Sequence, residues 1–161
     1  MSSQQESTVR TLMVALIVCL VCSVFVAGAA VALKPVQVEN RLLDKQRSIL
    51  AIAGLGEADM SAKAVKALYA ERIKARVVDL QTGQFTDAQD AASFDPLKAA
   101  KDPALSDALK GEQDIASIKR RERYSTVYMV ETDGKLDTLI MPIRGYGLWS
   151  TLYGFMAVKG D

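Results

Sequence analysis

Residues 12–33 read LMVALIVCLVCSVFVAGAAVAL, an uncharged apolar run between Arg10 on one side and Lys34 on the other. At ~1.5 Å rise per residue a helix of this length covers ~33 Å, enough to cross a hydrocarbon core of ~30 Å. A core helix of a water-soluble domain carries a polar face, and none is present here. A cleaved signal peptide is the alternative, but its apolar stretch runs to only ~7–15 residues, although Ala27-Gly28-Ala29 imitates a small-residue cleavage site. The run is read as a retained membrane anchor, with residues 1–11 as a short N-terminal tail and residues 34–161 as an extramembrane domain of ordinary size.

The charge pattern excludes several chemistries. The chain carries +1 net charge and no histidine, so imidazole acid–base catalysis and imidazole metal ligation are both ruled out. Its two cysteines, Cys19 and Cys22, both lie inside the anchor at i, i+3 spacing. Two thiols do not complete a tetrahedral metal site, and the spacing suits packing against neighbouring helices, as do the small residues Ser23, Ala27, Gly28 and Ala32. The domain itself has no thiol and no possible disulfide. No metal site, no catalytic residue and no nucleic-acid surface is assigned. Lys119, Arg120, Arg121 and Arg123 form the densest basic cluster, read as a solvated, hinge-like segment interrupted by Glu122. Lys34, Arg41, Lys45 and Arg47 follow the anchor closely, and by the positive-inside rule alone the domain would be cytoplasmic.

Working outward from the anchor, a helix continues past Pro35 to Ala53, with Leu42, Leu43, Ile49 and Leu50 at heptad-like spacing and a stop at Gly54 and Gly56. Ser61 caps a second helix through Val65, Leu68 and Ile73. Strand character follows over residues 75–80, then the turn Gln81-Thr82-Gly83-Gln84, with Phe85 starting the return. Residues 87–114 read as a surface excursion, with helical turns near 95–101 and 112–118. Residues 124–131 and 135–143 form a hairpin about Thr132-Asp133-Gly134, and residues 151–158 a third strand. The expected class is α+β: one N-terminal transmembrane helix, then a soluble domain with an antiparallel sheet. Lys159-Gly160-Asp161 reads as a turn awaiting another strand, so the domain is expected to be incomplete at its C-terminal end.

Only the segment joining the last two strands, Arg144-Gly145-Tyr146-Gly147-Leu148-Trp149-Ser150, has binding-site character. Its glycines permit close backbone approach and positive φ, and an indole suits stacking on a planar ligand. It is not a dinucleotide fingerprint, for no third glycine and no βαβ context follow. The bland reading is an ordinary strand connection with Trp149 in the core beneath the sheet.

The segments LVCSVFVAGAAVAL, NRLLDKQRSIL, RVVDLQTGQF, IKRRERY and PIRGYGLWSTLYGFMAV, in this order and spacing, resemble the covalent-FMN subunit (the C component) of the bacterial sodium-translocating NADH:quinone reductases over essentially the whole chain. The flavin subunit of the Rnf electron-transport complexes is a more distant relative. The resemblance implies an FMN-binding-type domain and an electron-transfer subunit of an enzyme that couples NADH oxidation by ubiquinone to sodium export. It implies other membrane and flavin subunits and membrane lipid as partners, and a single pass through the bacterial inner membrane with the domain on the periplasmic side, against the charge count. In that family FMN is esterified through its phosphate to a threonine of a Ser-Gly-Ala-Thr motif. This sequence has no such motif, and neither Thr138 nor Thr151 matches it. The resemblance assigns Gly145 and Gly147 to close approach to the flavin, Leu148 and Trp149 to shielding its ring, and Ser150 to a hydrogen bond. A non-catalytic anchor or assembly module is the alternative function.

Overall fold

The computed structural model describes residues 8–57 and 59–160; residues 1–7 of the expected tail lie outside the described residues. The chain divides into two units, residues 1–42 and 43–161. One helix, α1 (Thr8–Ile52), belongs to both. The tail expected to reach residue 11 therefore gives way to helix at Thr8.

Within the first unit α1 is long and apolar enough to cross a membrane, and no part of its apolar window is buried. Ser23 is the single hydroxyl in the run; it donates to the Leu20 carbonyl at 2.8 Å, which satisfies it inside its own helix. Pro35 stands inside α1, where its missing N–H leaves the Val31 carbonyl without its helical donor, yet the helix continues.

In the second unit, α1 ends as its glycines predict. Gly54 adopts φ 71°, a left-handed conformation that costs glycine little, and Leu55 and Gly56 donate to the Leu50 carbonyl at 3.0 and 3.1 Å. Helix α2 (Ala62–Arg72) starts at Ser61, whose hydroxyl accepts from the Ala64 N–H. It stops one residue short of Ile73, which opens strand β1 (Ile73–Asp79) instead. The return strand β2 (Gln84–Thr86) pairs with β1, and β5 (Tyr124–Thr132), β6 (Lys135–Tyr146) and β7 (Thr151–Lys159) complete an antiparallel sheet in the order β2-β1-β5-β6-β7. This is the expected α+β arrangement of an apolar N-terminal helix followed by an antiparallel sheet.

The register places Ile73, Tyr128, Val130 and Ile140 on one face, since Ile73 lies opposite Val130 and Tyr128 opposite Ile140. These residues meet Ile49 and Leu50 of α1 and Val65 of α2 in the core. Burying each of the larger aliphatic side chains contributes about 1.5–3 kcal/mol. Tyr128 packs edge-on against Phe155, and the Lys45 ammonium lies 5.2 Å from the Tyr128 ring centroid.

Residues 87–123 depart furthest from expectation. Helix α3 (Pro96–Ala99) is capped by Asp95, whose carboxylate accepts from the Leu97 and Lys98 N–H groups. The second expected turn, at 112–118, contracts to a 3₁₀ turn at Gly111–Gln113. Two short strands, β3 (Ser106–Ala108) and β4 (Arg120–Glu122), pair antiparallel in a separate small sheet. The basic cluster is thus a strand and not a hinge. Arg120 donates to Ser106 Oγ and to the Ser106 carbonyl, at 2.9 and 2.6 Å. Arg123 donates to Asp79 at 3.1 Å, and its carbonyl accepts from Leu80 N–H at 2.8 Å.

Asp79 ties the end of β1 to this strand. One of its oxygens accepts from Gln81 N–H and the other from Arg123. The Gln81 amide, and after it the Arg123 guanidinium, hold its carboxyl below the ordinary value of 3.8. A carboxyl lowered in the folded state contributes stability above its unfolded value, and the contribution is lost as pH falls through the folded value. Asp79→Asn is therefore expected to flatten the acid side of the stability–pH curve below about pH 4, as followed by circular dichroism. Ile140→Ala, at a fully buried position, is expected to cost about 2–5 kcal/mol in urea unfolding of the chain in detergent.

Candidate functional site

Strand β6 pairs with β7 in a continuous register from Thr138 opposite Lys159 to Tyr146 opposite Thr151. Its pairing with β5 ends much earlier, at Tyr128 opposite Ile140. Pro142, two residues further along β6, has no N–H to offer a ladder. The far end of β6 therefore carries β7 on one edge and leaves β5 on the other. Residues 144–146, read from sequence as loop, are strand, and the tip proper is residues 147–150.

Gly147 N–H donates to the Ser150 carbonyl at 2.9 Å and closes that tip. A Cβ on Gly147 would stand 3.0 Å from Leu152 Cγ and Cδ1 and 3.2 Å from the Ser150 carbonyl oxygen, so close approach is what glycine supplies here. Neither Gly145 nor Gly147 has the positive φ that the sequence permitted. Gly145 lies within β6, and a Cβ there would make only ordinary 3.8 Å contacts with Ala116.

Leu148 and Trp149 are 90% and 92% exposed. Trp149 is thus not a core residue beneath the sheet. Tyr146, Leu152 and Tyr153, which sequence reasoning passed over, are also exposed and widen the apolar, aromatic surface. Tyr146 stood within the quoted motif, and strand alternation puts Tyr153, opposite Arg144, on the same sheet face as Tyr146.

The other edge of this end of β6 is braced. Tyr146 N–H donates to the Ala116 carbonyl at 2.8 Å. Arg144 donates to the Arg120 carbonyl at 2.9 Å and forms an ion pair with Glu122. Both side chains are largely buried, at 16% and 11% exposure, so the pair is poorly screened and strongly oriented. Asp114 shapes the bracing segment: its carboxylate accepts from Ile118 and Lys119 N–H at 2.8 and 2.9 Å.

Two clefts in this unit lie elsewhere. One, of about 310 Å³, is lined by Arg76, Thr86, Asp87 and Gln89; the other, of about 280 Å³, by Arg47, Leu50, Gly56 and Met60. The five residues assigned from sequence come together as a protruding tip and not as a pocket. Among the described residues no three His, Cys, Asp or Glu side chains gather where they could hold a metal ion.

No protein-family model matches the chain. It is 79% identical over 159 residues to the NqrC subunit of the Na(+)-translocating NADH-quinone reductase of Pseudomonas aeruginosa, covering 99% of this chain and 61% of that protein. It is 50% identical over 157 residues to the same subunit of the Yersinia pestis reductase, covering 97% and 59%. The crystal structure of NqrC from Shewanella oneidensis matches with a TM-score of 0.63 and 32% identity, over 72% of this chain and 52% of that one. The chain thus spans about three-fifths of the length of the curated relatives it matches. Identity along almost all of these residues, with a shared fold, shows that the chain belongs to the NqrC family of Na(+)-translocating NADH-quinone reductase subunits.

Proposed function

We propose that this chain is the electron-transfer subunit, or the matched three-fifths of it, of a Na(+)-translocating NADH:ubiquinone oxidoreductase, working with the other membrane and flavin subunits of that complex. Its 79% identity to a named subunit of such a reductase is the observation that carries this reading. Residues 12–33 of α1 anchor it in the inner membrane, after a tail of residues 1–11, and residues 34–161 belong to a flavin-binding domain on the periplasmic side.

The tip suits one face of a flavin. Leu148 and Trp149 offer a flat apolar surface, Gly147 lets the backbone close tightly beneath it, and Ser150 can donate from its hydroxyl to a ring heteroatom. FMN, when bound, supplies the one-electron chemistry; the protein supplies stacking, water exclusion and local charge. These residues fit the ring and not the phosphate. The Arg144 guanidinium is committed to Glu122, and the sequence holds no Ser-Gly-Ala-Thr for a phosphate ester. Covalent attachment is accordingly assigned to family residues outside these 161.

In the longer, flavin-bearing protein, Trp149→Ala is expected to remove a stacking contribution of about 0.5–1.5 kcal/mol, shifting the one-electron equilibrium by up to about tenfold. A redox titration with flavin quantification reads this; unchanged potential and occupancy would remove the tip from the site. In sealed vesicles of known orientation, protease added on the periplasmic side is expected to digest the domain, whereas digestion from the cytoplasmic side alone would reverse the assigned topology.

A further inference from the structure

We propose that Arg144 is a positioning residue for the β6–β7 tip, fixing the orientation in which Leu148 and Trp149 meet their ligand; the ligand half of this statement rests on the flavin reading of the tip. The tip has little else to hold it. Leu148 and Trp149 are almost fully exposed, so their orientation is inherited from the ends of β6 and β7. The β7 side is secured by the ladder up to Tyr146 opposite Thr151. The other side has lost β5, whose pairing stopped at Ile140.

What replaces β5 is one residue's fork and one backbone bond. The Arg144 guanidinium reaches the Glu122 carboxylate and the Arg120 carbonyl together, gripping β4 by side chain and main chain. Arginine suits this because its donors lie in a rigid plane, whereas a lysine ammonium would satisfy the charge without the fork. Two residues further on, Tyr146 N–H meets the Ala116 carbonyl. The segment carrying Ala116 is held in a costly backbone conformation: Ser117 and Lys119 have φ of 53° and 65°. Non-glycine residues persist there only where surrounding bonds over-determine them. Asp114 provides those bonds, accepting from Ile118 and Lys119 through its carboxylate and from Ser117 through its carbonyl, the last at 3.0 Å. The bracket is therefore set by its own contacts, and Arg144 transfers its position to the tip.

Trp149 is the single tryptophan of the chain and reports on the tip without any cofactor. The test is carried out on the whole chain in detergent micelles, by backbone amide relaxation of residues 147–150 and by time-resolved anisotropy of Trp149. With Arg144 intact the tip amides should show order parameters of about 0.85; in Arg144→Gln and Glu122→Gln they should fall below about 0.6. Arg144→Lys should recover part of that order. Asp79→Asn, which breaks the other ion pair between β1 and Arg123, should leave the tip unchanged and so controls for general loosening. Should Arg144→Gln not fold, Glu122→Gln and Arg144→Lys carry the same comparison. Tip order that is unchanged in the folded variants, or lost equally in Asp79→Asn, would overturn the proposal. In the longer flavin-bearing protein, Glu122→Gln should also shift the flavin's one-electron equilibrium, by up to about tenfold. A disordered tip with an unmoved potential would leave Arg144 as the positioning residue and refute the flavin reading.

Discussion

Ile49 and Leu50 occupy the last turns of a helix whose first part is apolar on every side. In residues 43–52 the same helix must become one-sided, because its buried stripe closes over Tyr128, Val130 and Ile140 while Arg47 and Ser48 stay exposed. Much else depends on that contact. A sheet of this kind needs a cover for one face, and apart from these turns only α2 contributes a fully buried side chain to the core, Val65. The anchor and the cover are one continuous helix, so the element that suits a bilayer is also the element that completes the core.

The legible parts of the fold were those with local physical causes. The uncharged run, the Ser61 cap, the glycine stop at residue 54 and the Asp133-Gly134 turn each act through nearest neighbours, and each stands where the residues indicated. Strands β3 and β4 were illegible because neither has alternation or β-branched residues; Ser-Asp-Ala meets Arg-Arg-Glu through pairing and the reach of Arg120. A basic run reads as solvated until its partners are known, and those partners, Ser106, Asp79 and Arg144, lie 14 to 44 residues away.

At the tip the residue types were visible and their reasons were not. Gly147 is glycine because of Leu152 and the Ser150 carbonyl, not because of its own torsion. Trp149 could as well have been core; nothing in a strand–loop–strand pattern says on which side of a turn an indole ends. Arg144 looked like the first residue of a loop, and only the divergence of β5 from β6 gives it a task. Pro142 was the overlooked signal, since a proline late in a strand marks an edge that a neighbouring strand cannot fully use.

The buried phenols of the core have one more consequence. Burial pushes the Tyr128 hydroxyl up to about 12 and the Tyr69 hydroxyl higher still, while Asp79 is held low and Arg123 high by one another and their neighbours. Among the described residues only Lys45 moves toward neutrality, lowered from 10.5 by burial. With no imidazole anywhere and no thiol outside the apolar run, the folded unit has little to titrate near pH 7. Its electrostatic field is accordingly constant across the physiological range. For a redox group seated on the tip, the protein would be a proton-silent host, and any pH dependence of the group's potential would be the group's own.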